Sequence, residues 1–307
     1  MFLGLLKFVS LLLSDSYCSH VSLARPGILR SLSVEMDSLG PLATEVADER
    51  STVPCLTGLK NLVLDDTRGY RSGRSANATV WLRAAAPTLE NIRLPMVSCH
   101  SLPPYPTLPN LKGVWFPNQR DLGDEFTHDF VKVMAGLERL SVGSLFIKPD
   151  LFQLLVNASP ATVRELHASF TFYGITRAYN LTNRFKVLVD ILVAALPRYT
   201  NLVGLQLWMN DDDVVFADLI KALPPSLRRA TICTTDSKLK ETVELVEALL
   251  AADLSQLQMI KILGGDWLEY ISLDDAVMLD ELQERCKHRR IQLSFEGDIP
   301  DQLPWIY

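Results

Sequence analysis

LTGLKNLVL at 56–64, APTLENIRL at 86–94 and LPNLKGVWF at 108–116 share one phrase, apolar-x-x-apolar-x-apolar. It reads Leu59, Leu62, Leu64; then Leu89, Ile92, Leu94; then Leu111, Val114, Phe116. Working outward, the phrase begins at Leu29, Leu32, Val34 and continues through Leu137, Leu140, Val142 and Val163, Leu166, Ala168. It returns at Leu202, Leu205, Leu207; at Leu227, Ala230, Ile232; and at Leu257, Ile260, Ile262. A tenth, weaker copy sits at Ile291, Leu293, Phe295. The first apolar positions of the nine stronger copies are spaced by 30, 30, 22, 26, 26, 39, 25 and 30 residues. Repetition on that scale predicts a solenoid of stacked strand-bearing units, and such arrays usually bind.

Helical patterns precede most phrases. They are expected at 79–86, 126–135, 151–158, 184–196, 214–223, 241–251 and 274–287. A proline turn separates helix from strand at Pro87, Pro109, Pro160, Pro197 and Pro224-Pro225, since proline disfavours helix at the residue before it. The unit is therefore helix, proline turn, short strand, loop. Two stretches break the rhythm. Residues 95–110 hold five prolines and read as an extended linker. The 39-residue interval carries an insertion over 170–183 with Phe170, Phe172, Tyr173 and Tyr179. Such an insertion is either a functional protrusion or a long connection packed on its own array.

These residues define the expected fold class: α/β, a curved parallel sheet inside and helices outside. Residues 20–307 form the array of nine to ten repeats. Residues 1–19 read as the helix of a partial first repeat, since Leu3, Leu6, Val9 and Leu13 fall near helical spacing. The competing reading is a signal peptide, but Lys7 interrupts the apolar run and no small-residue cleavage site follows. With a signal peptide, the sequons at Asn77 and Asn180 would suit a secreted, glycosylated binding protein.

Bulk properties narrow the function. The chain is 48% hydrophobic, carries net charge −6 and has a mean hydropathy of +0.13. That composition supplies a long core and disfavours charge-driven binding to nucleic acid or anionic membrane. Cys18, Cys55, Cys99, Cys233 and Cys286 are scattered and form no C-x-x-C pair, which suits packed free thiols in a reducing, cytoplasmic or nuclear, compartment.

No phosphate loop, nucleophile elbow or zinc-ligand spacing occurs, so neither catalytic residues nor a cofactor or metal are expected. His128 reads as a surface residue of its helix, with a ligand as the other reading. The run Asn210 to Asp213 reads as a helix N-cap, with a weak calcium site as the other reading. Asp65-Asp66, Asp236 and Asp266 occupy comparable loops; they are either an acidic rim favouring a basic partner or plain solvated residues.

The residues between the apolar strand positions face the other side of the sheet. They are Ser33, Val63, Arg93, Trp115, Ser141, His167, Gln206, Thr231 and Lys261, with Trp208 at the next outward position of its strand. Trp115 and Trp208 are candidate partner-binding anchors, because tryptophan is enriched at binding hot spots. The other reading is packing on neighbouring strands. Arg93, His167 and Gln206 would add polar selectivity.

The three quoted phrases resemble leucine-rich repeats, nearest to the irregular, helix-bearing kind of fungal F-box proteins. The likeness runs from about residue 20 to the C-terminus. It implies a noncatalytic scaffold for protein recognition, the substrate-recognition part of a ubiquitin-ligase adaptor. The family's bend position holds Asn210, Thr67, Thr171 and Thr235 but also Asp37, Val97, Gln119, Leu145 and Gly265, so uneven curvature is expected. About 20 residues precede the first strand, fewer than an F-box needs, so only the repeat region is expected here.

Overall fold

A computed structural model describes residues 30–35, 58–65, 82–83, 85–94, 106–116, 130–143, 147–170, 181–209, 216–234, 239–263 and 273–296. The chain groups into two compact units, one of 1–137 with 302–307 and one of 138–301. Ten strands are described, and each phrase lies on one.

In the first unit, β1 (Ser31–Glu35), β2 (Asn61–Asp65), β3 (Asn91–Arg93) and β4 (Gly113–Phe116) pair in chain order, all parallel. Register aligns Leu32, Leu62, Ile92 and Val114. The second unit alternates strands and helices. Its order is β5 (Arg139–Gly143), α1 (Pro149–Val156), β6 (Glu165–Phe170), α2 (Leu181–Ala195) and β7 (Gly204–Met209). Then come α3 (Phe216–Lys221), β8 (Arg229–Thr234), α4 (Leu239–Ala251), β9 (Met259–Leu263), α5 (Leu273–His288) and β10 (Gln292–Glu296). These six strands are also parallel and paired in chain order. Each helix packs on the next, α1 on α2 through α4 on α5.

The register has a simple cause. Parallel strands need a long crossover, and each helix-bearing connection provides one. In every crossover between described strands of a unit up to β9, the amide just before the strand bonds the carbonyl at the same position of the preceding repeat. Thus Glu90 donates to Lys60, and Lys112 to Glu90. The step repeats as Arg164 to Glu138, Val203 to Arg164, Arg228 to Val203 and Gln258 to Arg228. The apolar phrase residues then stack into a core within each compact unit, Leu59 and Leu89 in the first and Val163, Leu202 and Leu227 in the second, all essentially inaccessible. Burying each such side chain contributes about 1.5–3 kcal/mol.

Several expected boundaries shift. The 126–135 helix ends early. Phe130 and Val131 are helical, after which Val133 and Met134 bond back three residues, and Gly136 turns with φ 86. The tight turn lets Phe130, Met134 and Leu137 all enter the core. Only Phe216–Lys221 is helical among the described residues of 214–223. The described end of the proline-rich stretch, 106–110, is non-helical. At Pro197 the chain runs from α2 into a 3-10 turn, Leu196–Arg198, so proline tightens the last turn without breaking it. The tenth copy is offset by one. Leu293 and Phe295 align with Ile260 and Ile262, but Arg290 adopts φ 59, and buried Ile291 takes the first apolar place. Residues 1–29, including the proposed first helix or signal, lie outside the described residues.

Phe170, the first aromatic of the insertion, is core: it meets Phe152 and Phe185 edge-on, at centroid distances of 5.5 and 5.8 Å. Phe172, Tyr173 and Tyr179 lie outside the described residues. Tyr199 is also fully buried, and its hydroxyl donates to the Val156 carbonyl at 2.5 Å. That carbonyl lies in the last turn of α1, where carbonyls lack an intrahelical partner. Burial pushes the Tyr199 hydroxyl pKa up. Tyr199→Phe strands this acceptor, and a loss of about 1–2 kcal/mol in urea unfolding is expected.

Candidate functional site

The residues between the core positions line up by the same register. In the first unit the row is Ser33, Val63, Arg93 and Trp115. Trp115 is only 7% exposed, and the Arg93 guanidinium lies 4.1 Å from its ring centroid. A cation over an indole face is attractive, and here it helps cover the ring. Of the two readings of Trp115, this geometry fits packing.

Beside that row runs a polar ladder. Asn91 donates to the Asn61 side chain at 2.7 Å, and Asn61 to the Ser31 hydroxyl at 2.9 Å. One residue earlier, Glu90 bridges Lys60 at 2.5 Å and Lys112 at 3.2 Å. The Lys60 and Lys112 hydrogen bonds hold the Glu90 carboxyl below its usual pKa.

In the second unit the row is Ser141, His167, Gln206, Thr231, Lys261 and Ser294. The outward neighbours of the first four strands are Gly143, Ser169, Trp208 and Cys233. The structure thus brings His167, Gln206 and Trp208 together. The Ser141 hydroxyl and His167 Nδ1 are 2.7 Å apart, and His167 meets Trp208 edge-on at 5.4 Å. Ser141 is fully buried and His167 nearly so, whereas Gln206, Thr231, Lys261 and Trp208 are half-exposed. Burial alone pulls the His167 pKa down to about 3, so the imidazole is neutral at physiological pH.

His167 Nε2 and Trp208 Nε1 are buried and have no hydrogen-bond partner among the described residues. A buried unpaired polar atom costs about 1–3 kcal/mol, so two at one aromatic pair call for a reason.

The row ends in paired charges. Lys261 meets Glu296 at 2.7 Å, and Arg229 meets Glu165. The second pair spans a whole strand, because Gly204 stands between its partners in the register. A Cβ at Gly204 would collide with the Glu165 carboxylate. Glycine there clears the path of the carboxylate across β7.

The Ser141–His167 contact has the reach of a nucleophile and base. Ser141 is inaccessible, however, and no carboxylate is recorded on His167 among the described residues. The pair therefore acts here as a neutral hydrogen-bonding unit. Among the described residues no three His, Cys, Asp or Glu gather as a metal site, and no helix is long and apolar enough to cross a membrane. His128, the run at 210–213, and Asp66, Asp236 and Asp266 lie outside the described residues.

Two site features escaped the sequence reading: the Ser141–His167 bond and the Gly204 crossing. The signal was available, since Ser141 and His167 occupy the same position of successive phrases.

Cys233 and Cys286 are buried free thiols. Burial pushes Cys233 up to about 12 and also raises Cys286, against the pull of Arg285 and Arg289. At pH 8 about one Cys233 in ten thousand is thiolate. Iodoacetamide is expected to label neither residue in the native chain and both in urea, as read by peptide mass mapping.

No protein-family model matches this chain, and no curated protein matches its sequence.

Proposed function

We propose that the chain is a leucine-rich-repeat solenoid with a curved parallel sheet and helices outside, and that it is a noncatalytic scaffold for protein recognition. It resembles the substrate-recognition part of an F-box ubiquitin-ligase adaptor. The observation that carries this reading is the outward row of the second unit. There Gln206, Thr231 and Lys261, with Trp208 beside them, present mixed polar and aromatic chemistry on a sheet face opposite the apolar core positions. A parallel α/β sheet usually buries both faces and reads as continuous hydrophobic runs. A half-exposed polar row on adjacent strands is what a recognition surface needs. The buried free thiols support a reducing compartment.

The test is affinity capture of the tagged full chain from a eukaryotic cytosol, with proteins identified by mass spectrometry. A Gln206→Arg/Thr231→Arg variant is run beside it, and Val187→Asp on the exposed side of α2 serves as control. Partners lost in the double variant and kept in the control support recognition by the strand row. Partners indifferent to the double variant, or none above background, overturn it.

A further inference from the structure

We propose that Trp208 and His167 form a two-donor site for a neutral oxygen acceptor, the amide carbonyl of a peptide laid along the row Gln206, Thr231, Lys261. This rests on the recognition reading and names what the row takes. The indole nitrogen can only donate, and Trp208 Nε1 is buried with no acceptor among the described residues. His167 is neutral, and its Nδ1 is engaged by the Ser141 hydroxyl. When Ser141 donates in that bond, the ring hydrogen sits on Nε2, which is likewise buried without a partner. The two rings meet on adjacent strands with centroids 5.4 Å apart, which puts the two nitrogens within reach of one bound segment.

The chemistry selects the acceptor. The neighbouring cations of the row are engaged, Arg229 by Glu165 and Lys261 by Glu296. A carboxylate or phosphate buried against two neutral donors would lack a counter-charge. An amide carbonyl needs donors only. Gln206, opposite His167 in the register, offers both a donor and an acceptor to a peptide backbone. From β6 to β9 the row spans three strand spacings, about 14 Å, or four to five extended residues. Trp208 is the half-exposed member of the pair, and its indole covers the histidine edge-on. The proposal requires the indole to swing outward on binding, so that its N–H and His167 Nε2 both reach the acceptor.

The test replaces Trp208 in the full chain with benzothienylalanine, which keeps the ring shape and lacks the N–H. A phage-displayed library of random peptides is panned on the unmodified chain. In the expected result, the replacement leaves the free chain at least as stable in urea and weakens the selected peptides tenfold or more. Amide-to-ester scanning of those peptides then finds one carbonyl whose weakening costs affinity only on the unmodified chain. A fall in free-chain stability overturns the proposal, because the N–H is then already bonded within the free chain. Peptides that bind both forms equally overturn the site while leaving recognition standing. No enrichment over an unrelated protein overturns both.

Discussion

Acidification from pH 7 to pH 5 is expected to remove about 2 kcal/mol of stability through His167 alone, and about 4–5 kcal/mol by pH 3. The folded protein holds this imidazole neutral, with a pKa of about 3 against an ordinary 6.5, because burial penalises the cation. The unfolded chain therefore takes up a proton below pH 6.5 that the folded chain refuses. The stabilisation is complete above 6.5 and drains away as pH falls toward 3. The local structure explains the refusal. The second ring hydrogen would go on Nδ1, where Ser141 would have to reverse its hydrogen bond, and Nε2 would still donate to nothing. The groups sharing this face offer no relief. Glu165 is held by Arg229, Arg139 on β5 is itself cationic, and Gln206 and Trp208 on β7 are neutral. Urea midpoints measured between pH 7 and 5 should fall in the native protein and stay nearly flat in His167→Gln. Lys60 and Lys112 hold the Glu90 carboxyl below its ordinary 4.5, so its share of the acid loss falls mainly below that window. A slope unchanged in His167→Gln would assign the acid sensitivity elsewhere.

Phe170→Ala is expected to cost about 3–5 kcal/mol, a large share of the 5–15 kcal/mol that holds a typical domain. Phe170 ends β6, is fully buried and bridges Phe152 of α1 to Phe185 of α2 through two edge-on contacts. Truncation opens a cavity where a strand meets two helices that pack on each other, so neither can close it without losing the other. Phe295→Ala on the half-exposed last strand removes the same atoms and should cost under about 2 kcal/mol. Equal losses at the two sites, read from urea unfolding, would show that the edge-on cluster contributes nothing beyond ordinary burial.

The phrase predicted each strand because it is local. Six residues with apolar side chains at positions one, four and six state which face is buried; the nine stronger copies and the offset tenth all mark parallel strands. Helix order followed from periodicity for the same reason. Boundaries were less legible where tertiary packing overrode local pattern. Met134 and Leu137 reach the core only because the chain leaves the helix at 132 and turns through Gly136, a conformation no helical period contains. The row of candidate residues was legible as an alternation. The state of each was not: Trp115 and Trp208 share one expectation, yet one is packed under Arg93 and the other is half-exposed.

The sequence by itself determined the α/β order of elements, the buried phrase positions and the identity of the outward row, because these depend on spacing along one chain. Only the tertiary structure decided that Ser141 bonds His167 from 26 residues away, that Glu165 crosses Gly204 to reach Arg229, and that the touching rings of Trp208 and His167 each keep a buried nitrogen without a partner among the described residues. Those contacts depend on which strands become neighbours and in what register, and side-chain distance across a sheet is set by that pairing, not by separation in the chain.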